Sequence, residues 1–193
     1  MAYAADALTT WDQALRLISR GHEHRTEPFL LAGGQLSHDY IDGKYAVDHG
    51  ERLPIISTAI YQLARREGMS FTDVGGLTMG ADPLAIGIAM VARCGWFSVR
   101  KVPKRRGHAR WIEGSRIEAG HAVLLVDDVV TTGGSIMKAY KRVIQTGAAV
   151  VGVIPMVDRG DVAGPAFARL GVPYTALVTY KDLGIDPIGP PGS

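Results

Sequence analysis

Two adjacent carboxylates followed by hydroxyls and glycines form the densest cluster of chemically capable residues in this 193-residue chain. Asp127 and Asp128 lead through Val129 and Val130 into Thr131, Thr132, Gly133, Gly134 and Ser135. Paired carboxylates can accept hydrogen bonds from sugar hydroxyls or face a hydrated divalent cation. The three hydroxyls can donate to an anion, and the glycines let the backbone turn tightly and approach a ligand closely. A helical pattern begins at Ser135. The free N–H groups at such a helix start point toward the same place and favour negative charge. This combination suits a phosphate monoester attached to a sugar. A plainer reading has the aspartates capping the helix and the glycines only making a turn. A P-loop NTPase is excluded because no G-x-x-x-x-G-K-[ST] motif occurs, and G-x-G-x-x-G is missing as well.

A second cluster is basic. Arg100, Lys101, Lys104, Arg105, Arg106 and Arg110 fall within eleven residues with no acid between them. Pro103 and Gly107 argue against a helix there. Such a run can be a solvated loop, a nucleic-acid patch, or a lid that closes over an anion. The net charge of +2 and the lack of a recognisable nucleic-acid module weigh against the patch. A third feature is Arg159, which follows the apolar run Val151–Val157 and Asp158. A guanidinium fork suits a carboxylate or paired carbonyl oxygens. The alternative for Arg159 is a surface ion pair of little consequence. His22 and His24 stand two apart without further ligands nearby in sequence, so no metal site is expected there. Asp82, just before Pro83, is expected to cap a helix.

The elements that must position these groups alternate along the chain. Helical spacing marks Thr10–Arg20, ended by Gly21, and Leu53–Arg66, closed by Gly68. Between them, Phe29-Leu30-Leu31 and Tyr40-Ile41-Asp42 read as extended segments broken at Gly33-Gly34. Strands are expected at Val74–Leu77, Trp96–Arg100, Val123–Val126, Ala149–Met156 and Tyr174–Val178. Helices are expected at Pro83–Arg93, Ser135–Gln145 and Val162–Leu170. Several of the strands are continuous apolar runs, as in a parallel sheet covered on both faces. The acidic pair then falls at the carboxyl end of a central strand, where open α/β sheets bind ligands. One α/β domain spanning 1–193 is the simplest organisation.

Composition agrees with a globular enzyme or binding protein: 47% hydrophobic and 21% charged residues. The single cysteine, Cys94, cannot form an internal disulfide. No signal-peptide pattern and no run long enough for a membrane span are present, so a cytoplasmic location is expected.

The motif Val123–Ser135, VLLVDDVVTTGGS, resembles the PRPP-binding motif of type I phosphoribosyltransferases, where PRPP is 5-phospho-α-D-ribosyl 1-diphosphate. Further segments resemble the orotate phosphoribosyltransferase family in the same order. Phe29–Asp42, FLLAGGQLSHDYID, is similar to its hood segment. Val74–Ala85, VGGLTMGADPLA, is similar to its pyrophosphate-loop strand. Ser98–Gly114, SVRKVPKRRGHARWIEG, is similar to its mobile catalytic loop, and Met156–Gly160, MVDRG, to its base-site D-R pair. The chain departs from common family forms at three places. Arg106 stands where many members have His, with His108 beyond Gly107. Gly80 stands near a place where some have Lys. Gly33 and Ala32 stand where members have Ser and Lys.

The resemblance implies a type I phosphoribosyltransferase fold: a mostly parallel sheet flanked by helices, with a hood over about residues 1–45 plus the C-terminal end. It implies transfer of the phosphoribosyl group from PRPP to orotate, with Mg²⁺ held mainly by PRPP and water near Asp127 and Asp128. PRPP contacts are implied for Arg100, Lys101, Lys104, Arg106, His108 and Asp127, Asp128, Val129, Val130, Thr131, Thr132, Gly133, Gly134 and Ser135. Catalytic roles fall to Lys101, Lys104, Asp127 and Asp128, and orotate contacts to Thr131 and Arg159. A homodimer sharing the basic loop is implied, with no nucleic-acid or membrane partner. The rivals are transfer to another nucleobase and a PRPP-sensing regulator that binds nucleic acid.

Overall fold

The computed structural model of the chain describes residues 8–31, 34–103 and 110–189. Helix α1, Thr10–Arg20, opens with a capping box between Thr9 and Asp12 and ends at Gly21. Strand β1, His22–Leu30, pairs antiparallel with β2, Leu36–Ile41, in a two-stranded sheet. A 3-10 turn over Gly43–Ala46 leads to α2, Leu53–Arg66, which has Pro54 in its first turn. From there the chain alternates: β3 (Asp73–Leu77), α3 (Asp82–Ala92), β4 (Gly95–Val99), β5 (Ile112–Gly114) and β6 (Ala122–Val130). It continues through α4 (Gly134–Ile144), β7 (Ala149–Asp158), α5 (Ala163–Ala168) and β8 (Val178–Thr179).

The main sheet has six strands in the order β5-β4-β3-β6-β7-β8, all parallel except the β4–β5 pair. The apolar runs have the predicted cause. Along β6, Leu124 and Val126 pack with Ile56, Ile60, Leu84 and Ile88 on one face. Val123 and Leu125 pack with Phe97, Ile136, Val143 and Phe167 on the other. Each strand residue therefore meets a hydrophobic layer, whichever way it points.

The order of the strands locates the site. From β3 the chain crosses to β4 on one side, whereas from β6 it crosses to β7 on the other. Helices α3 and α4 consequently lie on opposite faces of the sheet. The carboxyl ends of β3 and β6 flank this switch point, the place where an open α/β sheet leaves a crevice for ligand.

Three details differ from expectation. Strand β6 continues through Asp127 and Asp128 to Val130, because β7 keeps pairing beside it as far as Val130↔Asp158. The segment Tyr174–Val178 is largely irregular. Tyr174 makes only an isolated bridge to Val153, and the strand proper is Val178–Thr179. The short antiparallel β5 has no clear sequence signature, being three half-exposed or exposed residues on the sheet edge.

Candidate active site

Asp127 is buried at the end of β6, while Asp128 beside it is partly open. The backbone N–H of Asp128 donates to Asp127 Oδ1 (3.2 Å), and that of Val129 donates to Asp128 Oδ1 (2.8 Å). Burial, reinforced by the adjacent Asp128 charge, pushes the Asp127 carboxyl up to about 8, with Lys101 pulling the other way. This carboxylate therefore gains most from a partner that donates hydrogen bonds or carries positive charge.

The loop after the aspartates bends as its glycines suggest. Gly133 sits in the left-handed region at φ 79° and forms the N-cap of α4. A cavity of about 200 Å³ is bounded by Asp127, the loop Val129–Ser135 and Lys138. It is small enough to be a phosphate-and-sugar pocket and lies at the amino end of a three-turn helix. Lys138 was not singled out from sequence. The available signal was its spacing of three from Ser135, which puts both on one helical face.

Opposite, β3 ends in the turn Thr78–Ala81, with a cis peptide between Thr78 and Met79. A Cβ at Gly80 would lie 2.5 Å from Asp128 Oδ1, so this turn rests directly on the acidic pair. A side chain at this position would require the Asp128 carboxylate to shift. Asp82 does not cap α3. It occupies the first turn, and its carboxylate accepts from Thr78 Oγ1 and Ser98 Oγ, both at 2.7 Å. It thereby pins the turn to β4. Arg100 and Lys101 follow β4, and a cavity of about 290 Å³ is lined by both of them with Thr78 and Ser98. Arg100 lies 3.6 Å from Glu113, a half-exposed pair of little energetic weight. Lys104, Arg106 and His108 lie outside the described residues, as do Ala32 and Gly33.

Arg159 is not a surface residue. It is 1% exposed, and its neighbour Asp158 accepts instead from Tyr174 Oη (2.7 Å) and the Gly160 N–H (3.0 Å). The surface ion-pair reading is thereby overturned. The Arg159 fork crosses to the two-stranded sheet, donating from Nη1 to the Asp39 carbonyl (2.8 Å) and from Nη2 to Ser37 Oγ (3.2 Å). Its Nε is buried without a hydrogen-bond partner among the described residues. The backbone N–H of Arg159 donates to Val130 O (2.8 Å), which sets the residue beside the start of the Thr131 loop.

Asp39 is a junction that sequence reading missed. Its Oδ1 meets His22 Nε2 at 2.8 Å and His24 Nδ1 at 2.9 Å. Burial pushes this carboxyl up, but the hydrogen bonds from His24 and His22 outweigh it and hold the group below its ordinary range. The signal was present in β2, whose alternation buries Ser37, Asp39 and Ile41 on one face. Two polar residues at buried positions of a strand ask for partners.

Comparison with known proteins places these features. A family model described as the phosphoribosyl transferase domain matches residues 47–166. The orotate phosphoribosyltransferase of Pyrococcus furiosus is 34% identical over 172 residues, covering 89% of this chain and 94% of its own. That of Mycobacterium leprae is 38% identical over 157 residues, covering 80% and 86%. The crystal structure of Mycobacterium tuberculosis orotate phosphoribosyltransferase in complex with PRPP superposes with a TM-score of 0.74. It is 31% identical and covers 92% of this chain and 100% of that one.

Proposed function

Because the chain belongs to the phosphoribosyltransferase family, in its orotate branch, we infer that it transfers the 5-phosphoribosyl group of PRPP to orotate, releasing orotidine 5′-monophosphate and pyrophosphate. The observation that carries this reading is the convergence of the acidic pair, the phosphate-loop cavity and the Thr78–Ala81 turn at one switch point.

In this reading the Thr131–Ser135 hydroxyls and backbone N–H groups hold the 5′-phosphate, and Asp127 and Asp128 accept from the ribose hydroxyls. Arg100 and Lys101, with Lys104, Arg106 and His108 from the same segment, face the pyrophosphate. Thr131 and Arg159 contact orotate. The bond from ribose C1 to the pyrophosphate oxygen breaks as a bond from C1 to a ring nitrogen of orotate forms. Positive charge grows on the sugar and negative charge on the leaving group. Orotate is already an anion, so no strong base is needed, and catalysis rests on positioning and fixed charges. Lys101 and Lys104 stabilise the departing pyrophosphate, and closure of their segment excludes water that would capture the cationic sugar.

The donor set fits Mg²⁺: hard carboxylate oxygens stand beside the place assigned to ribose and pyrophosphate, and Asp127 is a buried acid that gains from a nearby cation. When bound, the ion supplies charge neutralisation to the leaving group, held mainly by PRPP and water.

The chain is read as one domain with its hood in the first 45 residues and the C-terminal end, acting in the cytoplasm. No helix among the described residues is long and apolar enough to cross a membrane. A homodimer, implied by the family resemblance, is supported by the exposed apolar residues of α3, where Ile86 is 39% and Met90 76% exposed, and by Met79 in the turn before it at 66%.

The test mixes protein, Mg²⁺, PRPP and orotate and follows orotate absorbance, for the wild type and for Arg159→Ala. Orotate is consumed by the wild type, and the variant loses orotate use by about 100-fold or more while binding PRPP within a few-fold of wild type. Turnover of a purine base in place of orotate would sink the substrate assignment. Equal damage to orotate and PRPP binding would contradict the role given to Arg159.

A further inference from the structure

Helix α4 packs on β3, β6 and β7, and a cavity of about 570 Å³ opens between its flank and the β4 end of the sheet. Its walls include Arg100, Lys101, Lys138, Lys141 and Arg142, with Ser135 of the phosphate loop at one end, Trp111 at one side and Leu77 and Val99 as an apolar floor. No acidic side chain stands among the described residues that line it.

The cations on α4 are spaced three and four apart, at 138, 141 and 142. Like charges at this spacing repel and weaken a helix. Lys138 and Lys141 are exposed and have no hydrogen-bond or ion-pair partner among the described side chains. Arg142 is held differently, with its guanidinium 3.5 Å from the Trp111 ring centroid and Nη1 donating to Gln145 Oε1 at 3.1 Å. The cavity therefore has a fixed cationic wall, two free ammonium groups and an aromatic edge. Its volume lies in the range of small-molecule sites. That size and the low net charge of +2 disfavour an extended nucleic acid.

We propose that this cavity, which adjoins the PRPP site and shares Arg100, Lys101, Ser135 and Lys138 with it, is a second anion site that takes a chain of linked phosphates, either inorganic or the tail of a nucleoside triphosphate. Lys141 and Arg142 stand two turns along α4 from Ser135, so they hold the end of the chain remote from the PRPP loop. Lys138 lines both this cavity and the 5′-phosphate cavity. Occupancy of one is thus felt at the other through a shared ammonium.

The full chain is titrated with inorganic tripolyphosphate and with UTP, following tryptophan emission, in the presence of saturating ribose 5-phosphate. A saturable change is expected that disappears in Trp111→Phe, since Trp11 and Trp96 lie elsewhere in the chain. Lys141→Glu should weaken tripolyphosphate by about tenfold and leave ribose 5-phosphate binding within twofold. Equal affinities for the two probes assign the site to the phosphate chain alone, and tighter UTP binding adds the nucleoside. The proposal is overturned if ribose 5-phosphate displaces tripolyphosphate one for one. It is also overturned if Lys141→Glu has no effect, or if a single-stranded oligonucleotide binds there in preference to both probes.

Discussion

Asp127 shows at the scale of one residue how function can oppose stability. Its carboxyl is raised from an ordinary value of 3.8 to about 8 by burial and by Asp128. A folded acid with a raised value binds its proton where the unfolded chain has lost it. Stability therefore falls as pH rises between about 4 and about 8 and levels off above. Asp127→Asn removes the charge that is costly to bury. The variant should lose turnover yet gain on the order of 2 kcal/mol of stability above pH 8, with a flatter melting profile from pH 5 to 9. A variant that melts with the wild-type pH profile would refute this account. The residues of this loop were legible in sequence because their chemistry is local: hydroxyls, glycines and acids fall within nine positions. The surroundings of Arg159 were not, because its hydrogen-bond partners lie 120 and 122 residues away. An arginine's side-chain type announces a fork but says nothing of what faces it.

Among the elements, α4 depends on the residue that starts it. Gly133 has a positive φ, and a Cβ there would lie 2.9 Å from the Ala163 Cβ. Gly133→Ala meets both backbone strain and the start of α5, at a cost of about 1–3 kcal/mol. It should weaken PRPP more than orotate, because the phosphate loop moves while β7 stays. Thermal melts and titrations with PRPP and orotate check both parts; an unchanged PRPP affinity would show that the loop tolerates another geometry. The bounds of α1 and α2 were readable to the residue, because apolar periodicity and terminal glycines agree there. Strand β8 was overestimated since an apolar run shows only that a segment is buried. Pairing also needs a neighbouring strand in register, and β7 offers that regularly only at Val178 and Thr179.

For the whole molecule, the topology was legible because buried parallel strands leave continuous apolar runs, and alternation with helices leaves few arrangements. The attachment of the two-stranded sheet was hidden, since it depends on polar contacts between distant segments. Assembly extends the same reasoning to the surface. Met90→Glu places a charge on the apolar side of α3 and should shift the proposed dimer to monomer in analytical ultracentrifugation. Its melting temperature at low concentration should stay within a few degrees, and its kcat should fall if the basic loop is shared between subunits as proposed. A dimer that persists would move the interface away from α3.

The bridge from Arg159 to β2 gives the proposed base site an internal competitor. Two of the three nitrogens of the fork already have acceptors, the Asp39 carbonyl and the Ser37 hydroxyl. An incoming carboxylate that takes the Nη1–Nη2 edge of the fork must exchange with these oxygens. Being on the same chain, they compete at a fixed effective concentration that dilution cannot lower. Apparent affinity for the base is then the intrinsic affinity scaled by the fraction of molecules whose fork is released. Weak acceptors lose this exchange and a charge-assisted carboxylate wins it. The strand would thus act as a threshold, rejecting neutral bases that could fit the space yet cannot outbid a backbone carbonyl.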